Sequence, residues 1–335
     1  MEMRALGRTG VKVSSLCLGC MMFGGKTTPE DSYAIIDRAI DAGINFLDTA
    51  NVYSIGKSEE VTGEALKRNG KRNSTVLATK VHGNMGPGPN ENGNSRRHII
   101  EQCEQSLRRL QTDWIDLYQI HRPQSDIPID ETLRAMDDLI RSGKVRYIGA
   151  STYAAWQLVE SFWVSKELGL NRFVCEQPPY HILDRRIERE LIPMAQTYGM
   201  AVIPWSPLAG GMLTGKYHRG EEPPEDSRWA SYATNPIQRR RMNDRIYDAI
   251  EALEPVVQAK GVSMSQFALA WAAAQPGVTS PIIGPRTIEQ LEDNLKAAEV
   301  TITDEDRKAV DHIVRPGTHI SSYYEADFGP HPFRV

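Results

Sequence analysis

The sequence predicts an α/β protein, a (β/α)8 TIM barrel with an N-terminal β-hairpin plug and two extra helices. Short apolar runs alternate with amphipathic helical stretches along the chain, eight times, in units of about 30–45 residues. Such alternation implies parallel strands joined by helical crossovers, and eight units suit a closed barrel. An open doubly wound sheet is the alternative, but the segment Leu18–Gly25, LGCMMFGG, lacks its GxGxxG fingerprint.

The elements follow in order from a hairpin over residues 1–13 that turns at Arg8-Thr9-Gly10. Apolar runs bounded by turn residues predict eight strands: Leu16–Gly19, Ile44–Asp48, Thr75–Lys80, Ile115–His121, Val145–Ser151, Phe173–Gln177, Val202–Trp205 and Ser280–Ile283.

Helices are predicted where apolar residues recur at helical spacing between these strands. Pro29 opens the first helix and Gly43 ends it, and the second starts at Ser58 with acidic residues early and basic residues late. The others are Arg97–Leu110, Asp130–Arg141, Ala155–Leu168, Arg185–Tyr198, Asp244–Lys260 and Ile288–Ala297, with Ser263–Ala274 and Asp304–Val314 as the two outside the repeat.

All 335 residues are predicted to form one barrel domain, with a C-terminal tail, residues 314–335, over the rim. A net charge of −4 favours neither a nucleic-acid partner nor a membrane surface. No apolar run reaches the length of a membrane span, and no signal region is evident, so we expect a cytoplasmic protein. Cys17 and Cys20 form a CxxC, but a zinc site needs a second pair, so the four cysteines are interpreted as core residues and no metal is expected.

Four polar residues stand at or just beyond the ends of strands: Asp48, Tyr53, Lys80 and His121. Because parallel strands end at one rim of a barrel, we expect these side chains to converge there. An adjacent ammonium stabilises phenolate, so Lys80 would make Tyr53 a better proton donor. Asp48 would keep Lys80 charged, and His121 would orient a carbonyl oxygen. The site has no evident nucleophile, so another molecule must add to the carbon.

Two loops look suited to a hydride carrier. After the seventh strand, Trp205 offers a ring for stacking on a nicotinamide, and the small residues up to Gly211 allow a pyrophosphate to approach the backbone. After the eighth strand, Gly284-Pro285-Arg286-Thr287 leads into a helix, the usual phosphate site of this architecture. Arg286 is placed to bind a ribose 2′-phosphate, which favours NADP(H) over NAD(H).

Several motifs together resemble the aldo-keto reductase superfamily over nearly the whole chain. They include 45-NFLDTA-50 followed by Tyr53, 78-ATK-80, 106-SLRRL-110, 116-DLYQIHRP-123, 143-GKVRYIG-149, and the two loops after strands seven and eight. The Trp-Ser-Pro-Leu-Ala loop resembles the bacterial and potassium-channel-β-subunit branches. The resemblance implies NADPH-dependent reduction of an aldehyde or ketone, with Tyr53 as acid, Asp48 and Lys80 tuning it, and His121 orienting substrate.

The resemblance also implies cofactor-binding roles by position. Ser151 and Gln177 would hold the nicotinamide carboxamide, and Trp205 would stack on the ring. Ser206, Leu208, Gly210 and Lys216 would border the pyrophosphate, while Arg286, Gln290, Asp293 and Asn294 would hold the adenosine phosphate end. The family commonly has Asn after the serine of strand five, where this chain has Thr152, so one carboxamide contact is in doubt.

The small-molecule carbonyl substrate is not identified by the sequence; aryl aldehydes, short ketones and keto sugars all suit an aromatic, partly polar mouth. We expect its pocket walls to come from Met22, Phe23, Trp229, the loop His82–Ser95, and Tyr323, Tyr324 and Phe328 of the tail. The alternative function is an NADP(H)-binding regulatory or sensor subunit with low turnover. The oligomeric state stays open between a monomer and a homo-oligomer.

Overall fold

A computed structural model of the chain describes residues 1–225, 227–233 and 243–320, and it confirms the predicted α/β barrel fold class. The hairpin strands are β1 Met3–Ala5 and β2 Lys12–Ser14, and the barrel strands are β3 Cys17–Gly19, β4 Phe46–Asp48, β5 Val76–Val81, β6 Ile115–Ile120, β7 Val145–Ser151, β8 Cys175–Gln177, β9 Ala201–Val202 and β10 Ile282–Ile283. The helices are α1 Pro29–Asp41, α2 Lys57–Arg68, α3 Arg96–Leu110, α4 Ile129–Arg141, α5 Ala155–Leu168, α6 Leu191–Tyr198, α7 Arg228–Ala233, α8 Asp244–Lys260, α9 Met264–Ala273, α10 Ile288–Lys296 and α11 Asp304–Ile313.

The eight barrel strands are parallel and follow the order β10-β3-β4-β5-β6-β7-β8-β9. The first and last strands of this order are also joined, because the Ile282 N–H donates to the Pro204 carbonyl at 2.8 Å and the Thr279 N–H donates to Val202 at 2.8 Å. The sheet therefore closes, and all strand C-termini face one rim, as in other barrels of this type.

The hairpin closes the opposite end of the barrel. Leu6 and Val13 are fully buried and pack against inward-facing residues of the strands, among them Phe46 and Leu117. At the hairpin turn, Gly7 has a φ of 58°, and a Cβ there would lie 2.8 Å from the backbone of β9. Only glycine fits so close an approach, which lets the hairpin seat against the strand ends.

One helix prediction is wrong. Residues 185–198 do not form a single helix: a 3-10 turn covers Arg186–Glu188, and α6 begins only at Leu191. The backbone N–H of Arg185 instead donates to Thr318 at 2.8 Å, and its guanidinium bonds Asp311 and the Val314 carbonyl, both at 2.7 Å. This segment therefore anchors the chain that follows α11, a long-range contact that local periodicity does not show.

The long loop after β9 contains the short helix α7. All four cysteines are buried free thiols, as the core interpretation requires. In the part of the chain that the structure describes, no helix is long and apolar enough to cross a bilayer.

Candidate active site

The C-terminal rim of the barrel surrounds a cavity of about 660 Å³. Asp48 is the last residue of β4, Lys80 the last but one of β5, and His121 follows β6 directly. Tyr53 lies in the turn that precedes α2. Asp48, Tyr53 and His121 line the cavity, whereas Lys80 lies behind them and is fully buried. The structure therefore brings the four residues together at one place.

The ammonium of Lys80 is the centre of this group. It donates to the Asp48 carboxylate, to the Thr49 carbonyl at 2.8 Å, and to the Tyr53 hydroxyl at 3.3 Å. An ammonium has three N–H donors, so these contacts use all of its capacity. The contacts with Asp48 and Thr49 therefore fix the position of the ammonium next to the phenol oxygen of Tyr53.

Two glutamines hold the other oxygen of Asp48. Gln119 of β6 donates to Oδ2 at 2.9 Å and Gln177 of β8 donates to the same atom at 3.0 Å. Sequence reasoning missed Gln119, although a signal exists: Gln119 pairs in register with Lys80 and is a polar residue in an apolar strand. Neighbouring residues in register on parallel strands point to the same face, so Gln119 had to share the barrel interior with Lys80.

Burial and charge set the protonation of the buried groups. Burial alone would lower the pKa of Lys80, but the Asp48 carboxylate and Tyr53 outweigh it and the pKa is raised. Burial lowers the pKa of His121 well below its usual value, and the charges of Lys80 and Arg122 add to this. His121 is therefore a neutral imidazole at physiological pH, with one N–H to donate. Its ring lies edge-on to Tyr53, at 5.6 Å between centroids.

The turn after Tyr53 has an unusual backbone. Ser54, Ile55 and Gly56 have φ values of 48°, 50° and 87°, a left-handed run that is costly for Ile. A Cβ on Gly56 would lie 2.7 Å from the Arg109 side chain, and Arg109 is held by the buried Glu59 at 2.6 Å. Tyr53 is thus presented by a tightly constrained turn.

The residues expected to bind a cofactor all line this same cavity. They are Ser151, Gln177, Trp205, Ser206, Leu208, Gly210, Lys216, Gly284, Arg286, Gln290, Asp293 and Asn294. Ser151 and Gln177 end β7 and β8 and are in register, and the Ser151 hydroxyl donates to the Gln177 carbonyl at 2.9 Å. After β9 the loop turns sharply, with φ values of 56° at Ser206 and 65° and 105° at the two glycines.

Cations gather at one part of the cavity. Lys216, Arg228 and Arg286 line it, and burial lowers the pKa of Lys216 with help from the charges of the two arginines. Like charges this close favour an anionic ligand such as a phosphate. Arg228, Lys26 and Arg122 line the cavity and were not found from the sequence, because Lys26 and Arg122 lie in loops and Arg228 begins the short helix α7, where no periodic pattern indicates a direction.

Some predicted pocket walls lie elsewhere. Met22 lines the cavity, but Phe23 and Trp229 are almost completely buried in the core and do not. No residue of the loop His82–Ser95 lines it either, because Asn94 ties that loop to Gln124 and to the Arg122 carbonyl. The tail residues Tyr323, Tyr324 and Phe328 lie outside the described residues.

Thr152 adopts a left-handed backbone with φ 61°, which disfavours a β-branched residue. Its hydroxyl donates to the Ser151 carbonyl at 2.6 Å, and Thr152 does not line the cavity. The Thr152 hydroxyl therefore makes its hydrogen bond within its own turn. Among the residues that the structure describes, no group of three or more His, Cys, Asp or Glu side chains could hold a metal ion.

Comparison with known proteins agrees with this geometry. The model of the aldo/keto reductase family matches residues 15–315. A probable voltage-gated potassium channel subunit beta of Oryza sativa subsp. japonica is 39% identical over 303 residues, covering 90% of this chain and 92% of the relative. The similarly named protein of Arabidopsis thaliana is 38% identical with the same coverage. The uncharacterized oxidoreductase YrpG of Bacillus subtilis (strain 168) is 40% identical over 314 residues, covering 91% of this chain and 93% of the relative.

Proposed function

Because this chain belongs to the aldo/keto reductase family and so to the oxidoreductases, we propose that it reduces an aldehyde or ketone to the alcohol with NADP(H). The observation that carries the proposal is the contact between the Tyr53 hydroxyl and the Lys80 ammonium at 3.3 Å, beside a neutral imidazole at a cavity wall. These groups donate protons and hydrogen bonds to an oxygen on which negative charge develops.

The residues of the cavity suit the proposed cofactor. One part offers an aromatic ring, Trp205, together with the amide of Gln177 and the hydroxyl of Ser151, and another part offers the cations Lys216, Arg228 and Arg286. A ring, hydrogen-bonding groups for an amide, and cations for phosphates match the chemistry of NADPH, and Arg286 is assigned to the 2′-phosphate. Bound NADPH would supply a hydride to the carbonyl carbon.

The protein side of the reaction is then proton transfer. Tyr53 gives its phenolic proton to the carbonyl oxygen as the alcohol forms. Lys80 stabilises the phenolate that is left, and Asp48 holds the ammonium in place. His121 stays neutral and orients the oxygen by donating a hydrogen bond. The proton returns to Tyr53 before the next turnover.

The test is a steady-state assay of nucleotide oxidation. Purified protein is offered NADPH or NADH with a panel of aryl aldehydes, short-chain ketones and keto sugars. We expect NADPH consumption with at least one class, and slower consumption of NADH. Failure to oxidise NADPH with every member of the panel, by protein that binds it, would argue against a reductase.

The names of the rice and Arabidopsis relatives support a second candidate, an NADP(H)-binding regulatory subunit with slow turnover. This candidate predicts different behaviour from a reductase. NADPH would bind tightly and turn over slowly, and a membrane channel partner would remain bound through purification. Fast multiple turnovers of the free protein would exclude this candidate, because a sensor needs the nucleotide to stay bound.

A further inference from the structure

The outer surface of the barrel carries an apolar patch that is centred on one helix. In the described part of the chain nine large apolar side chains are exposed, and five of them lie on α5 or at the end of α6: Trp156, Val159, Trp163, Leu168 and Tyr198. Trp163 is 63% exposed and Trp156 is 54% exposed. Exposed apolar patches mark interaction surfaces, and tryptophan and tyrosine are enriched in them.

The spacing of the residues explains why the tryptophans face outward. Four residues of α5 are buried and form its inner side: Leu158, Ser161, Phe162 and Ser165. A helix advances about 100° per residue, so residues seven apart lie almost in line. Trp156 and Trp163 therefore form a ridge along the middle of the outer face. Tyr198 extends the patch toward α6, because its ring packs on Phe162 at 5.4 Å between centroids.

The two sides of the tryptophan ridge differ in charge. By the same helical geometry, Val159 and Lys166 lie along one side, and Glu160 and Glu167 lie along the other. All four residues are exposed. One side of the ridge is therefore apolar and basic, and the other side is acidic.

A second copy of α5 complements this pattern when the two helices run parallel. A two-fold axis parallel to both helices places each tryptophan opposite its own equivalent and exchanges the two sides of the ridge. Lys166 of one copy then lies beside Glu167 of the other, and the same pair forms again across the axis. Antiparallel helices would instead bring the two acidic sides together, so the charges select the parallel arrangement.

We propose that the outer face of α5 is the contact surface of a symmetric homodimer, in which the tryptophan ridges of two copies pack together and Lys166 pairs with Glu167. The exposed parts of the two indoles contribute roughly 250 Å². This is about a third of the area that each partner buries in a stable complex. The flanking side chains and the end of α6 supply the remainder, so we expect a dissociation constant of roughly micromolar size.

Sedimentation equilibrium of the full chain over roughly 1–100 µM tests the proposal. The wild type should be a dimer at the upper end of this range and dissociate at the lower end. Trp163→Glu should raise the dissociation constant by about thirtyfold or more, because it places two carboxylates at the centre of an apolar contact. The matched control is Met3→Glu, which puts the same charge at an exposed apolar residue of β1 and should leave the dissociation constant unchanged.

Charge reversal tests the direction of the helices and keeps both tryptophans. Lys166→Glu alone and Glu167→Lys alone each place like charges across the axis, and each should raise the dissociation constant by about tenfold. The two substitutions together restore opposite charges and should return the dissociation constant to within about threefold of the wild type. If disturbed packing of α5 caused the losses, they would add up in the double variant. This comparison also decides the matter if Trp163→Glu does not fold.

Three results would overturn the proposal: a wild type that stays monomeric up to about 100 µM, an oligomer that persists in Trp163→Glu, and a double charge variant that dimerises no more tightly than the single variants. The first would leave the tryptophan ridge to a different partner or to none, and the second would show that another face joins the copies. Because the substituted residues do not line the rim cavity, the outcome is independent of the proposed reductase activity.

Discussion

Lys80 and Asp48 form an ion pair that is almost completely withheld from water, with side-chain exposures of 0% and 3%. A buried pair contributes little net stability, because both charges lose their hydration, but removal of one partner strands the other charge at a cost of about 3–5 kcal/mol. Here Gln119, Gln177 and the Thr49 carbonyl meet the remaining hydrogen-bonding capacity. The arrangement is therefore best explained as a way to hold an ammonium beside Tyr53.

At the same scale, another buried carboxylate, that of Glu176, forms no salt bridge with any of the residues that the structure describes. Glu176 lies on β8 next to Gln177, is fully buried, and accepts the Tyr153 N–H at 3.1 Å, while its Oε2 has no hydrogen-bond partner. Burial raises the pKa of Glu176 to about 8, although nearby backbone N–H groups and Arg122 oppose this. The residue holds the turn that follows Ser151 at the edge of the cavity.

Glu176→Gln should remove a pH dependence of folding stability. A carboxyl with a folded-state pKa above its unfolded value of 4.5 stabilises the fold fully below that value, and the contribution is lost as the pH rises through about 8. Between pH 6.5 and pH 8.5 the wild type should lose about 2 kcal/mol more stability than the variant. Urea denaturation at the two pH values measures this.

The control for that experiment is Glu167→Gln, at an exposed position on α5, which should keep the wild-type pH dependence. Burial lowers the pKa values of His82, His98, His121 and His181, but their effect on the pH dependence is the same in the wild type and in Glu176→Gln and cancels in the comparison. Equal pH slopes in the wild type and Glu176→Gln would contradict a buried carboxyl that titrates near pH 8.

The four residues of the proposed tetrad could be predicted from the sequence because each follows a recognisable strand. Gln119 and Glu176 could not be predicted because their structural roles depend on which face of a strand they occupy and on which residues lie across the barrel. Phe23 and Trp229 were assigned to the pocket because aromatic loop residues near a rim suit a mouth, yet both pack inward. Loop side chains have no periodicity from which their direction follows.

At the scale of elements, α2 and α3 approach unusually closely at Gly63. A Cβ at that position would lie 2.5 Å from the carbonyl group of Leu110, the last residue of α3. Backbone cannot move aside as a flexible side chain can, so the close approach depends on glycine. Because Tyr53 begins the turn that leads into α2, this contact also helps to fix the position of the proposed acid.

The substitution Gly63→Ala has two opposite effects on the free energy of unfolding, a gain from helix propensity and a loss from packing. Alanine stabilises a helix interior by about 1 kcal/mol relative to glycine. The clash with Leu110 should exceed this, so we expect a net loss of about 1–3 kcal/mol in the free energy of unfolding. Gly10→Ala is the control, since no atom lies within 4 Å of its added Cβ. A Gly63→Ala protein as stable as the wild type would show that relieving the clash between α2 and α3 costs no more than the gain in helix propensity.

Most elements could be predicted because each is specified locally, by periodicity, caps and turn residues. α5 and α8 have the predicted bounds, and Thr28, Ser95 and Ser263 cap α1, α3 and α9. The region of residues 185–198 could not, because Arg185 bonds to Asp311 and Thr318, more than a hundred residues away. Local pattern carries no information about a partner so distant in sequence.

At the scale of the whole molecule, the barrel joins the proton-donating group and the cation cluster in one cavity although their residues are far apart in sequence. Ligand binding should therefore stabilise the entire fold, because contacts from β4 to α10 are made at once. A ligand at a hundred times its dissociation constant adds about 2.7 kcal/mol to the stability of the native state.

Thermal denaturation tests the preference for the phosphorylated nucleotide. At saturating concentration we expect NADPH to raise Tm by roughly 5 °C or more, and NADH at the same concentration to raise it less. Arg286→Met should remove most of the difference, because the guanidinium is assigned to the 2′-phosphate. Equal Tm shifts by the two nucleotides in the wild type would mean that Arg286 does not select between them.

The most direct measurement is a single turnover of pre-bound NADPH after an aldehyde substrate is added, for the wild type and for Tyr53→Phe. The variant lacks only the phenolic oxygen that contacts the Lys80 ammonium. We predict that it binds NADPH as tightly as the wild type and oxidises it about 10²–10⁴-fold more slowly, as expected for loss of a general acid. Oxidation by Tyr53→Phe at the wild-type rate would contradict the assignment of Tyr53 as the proton donor.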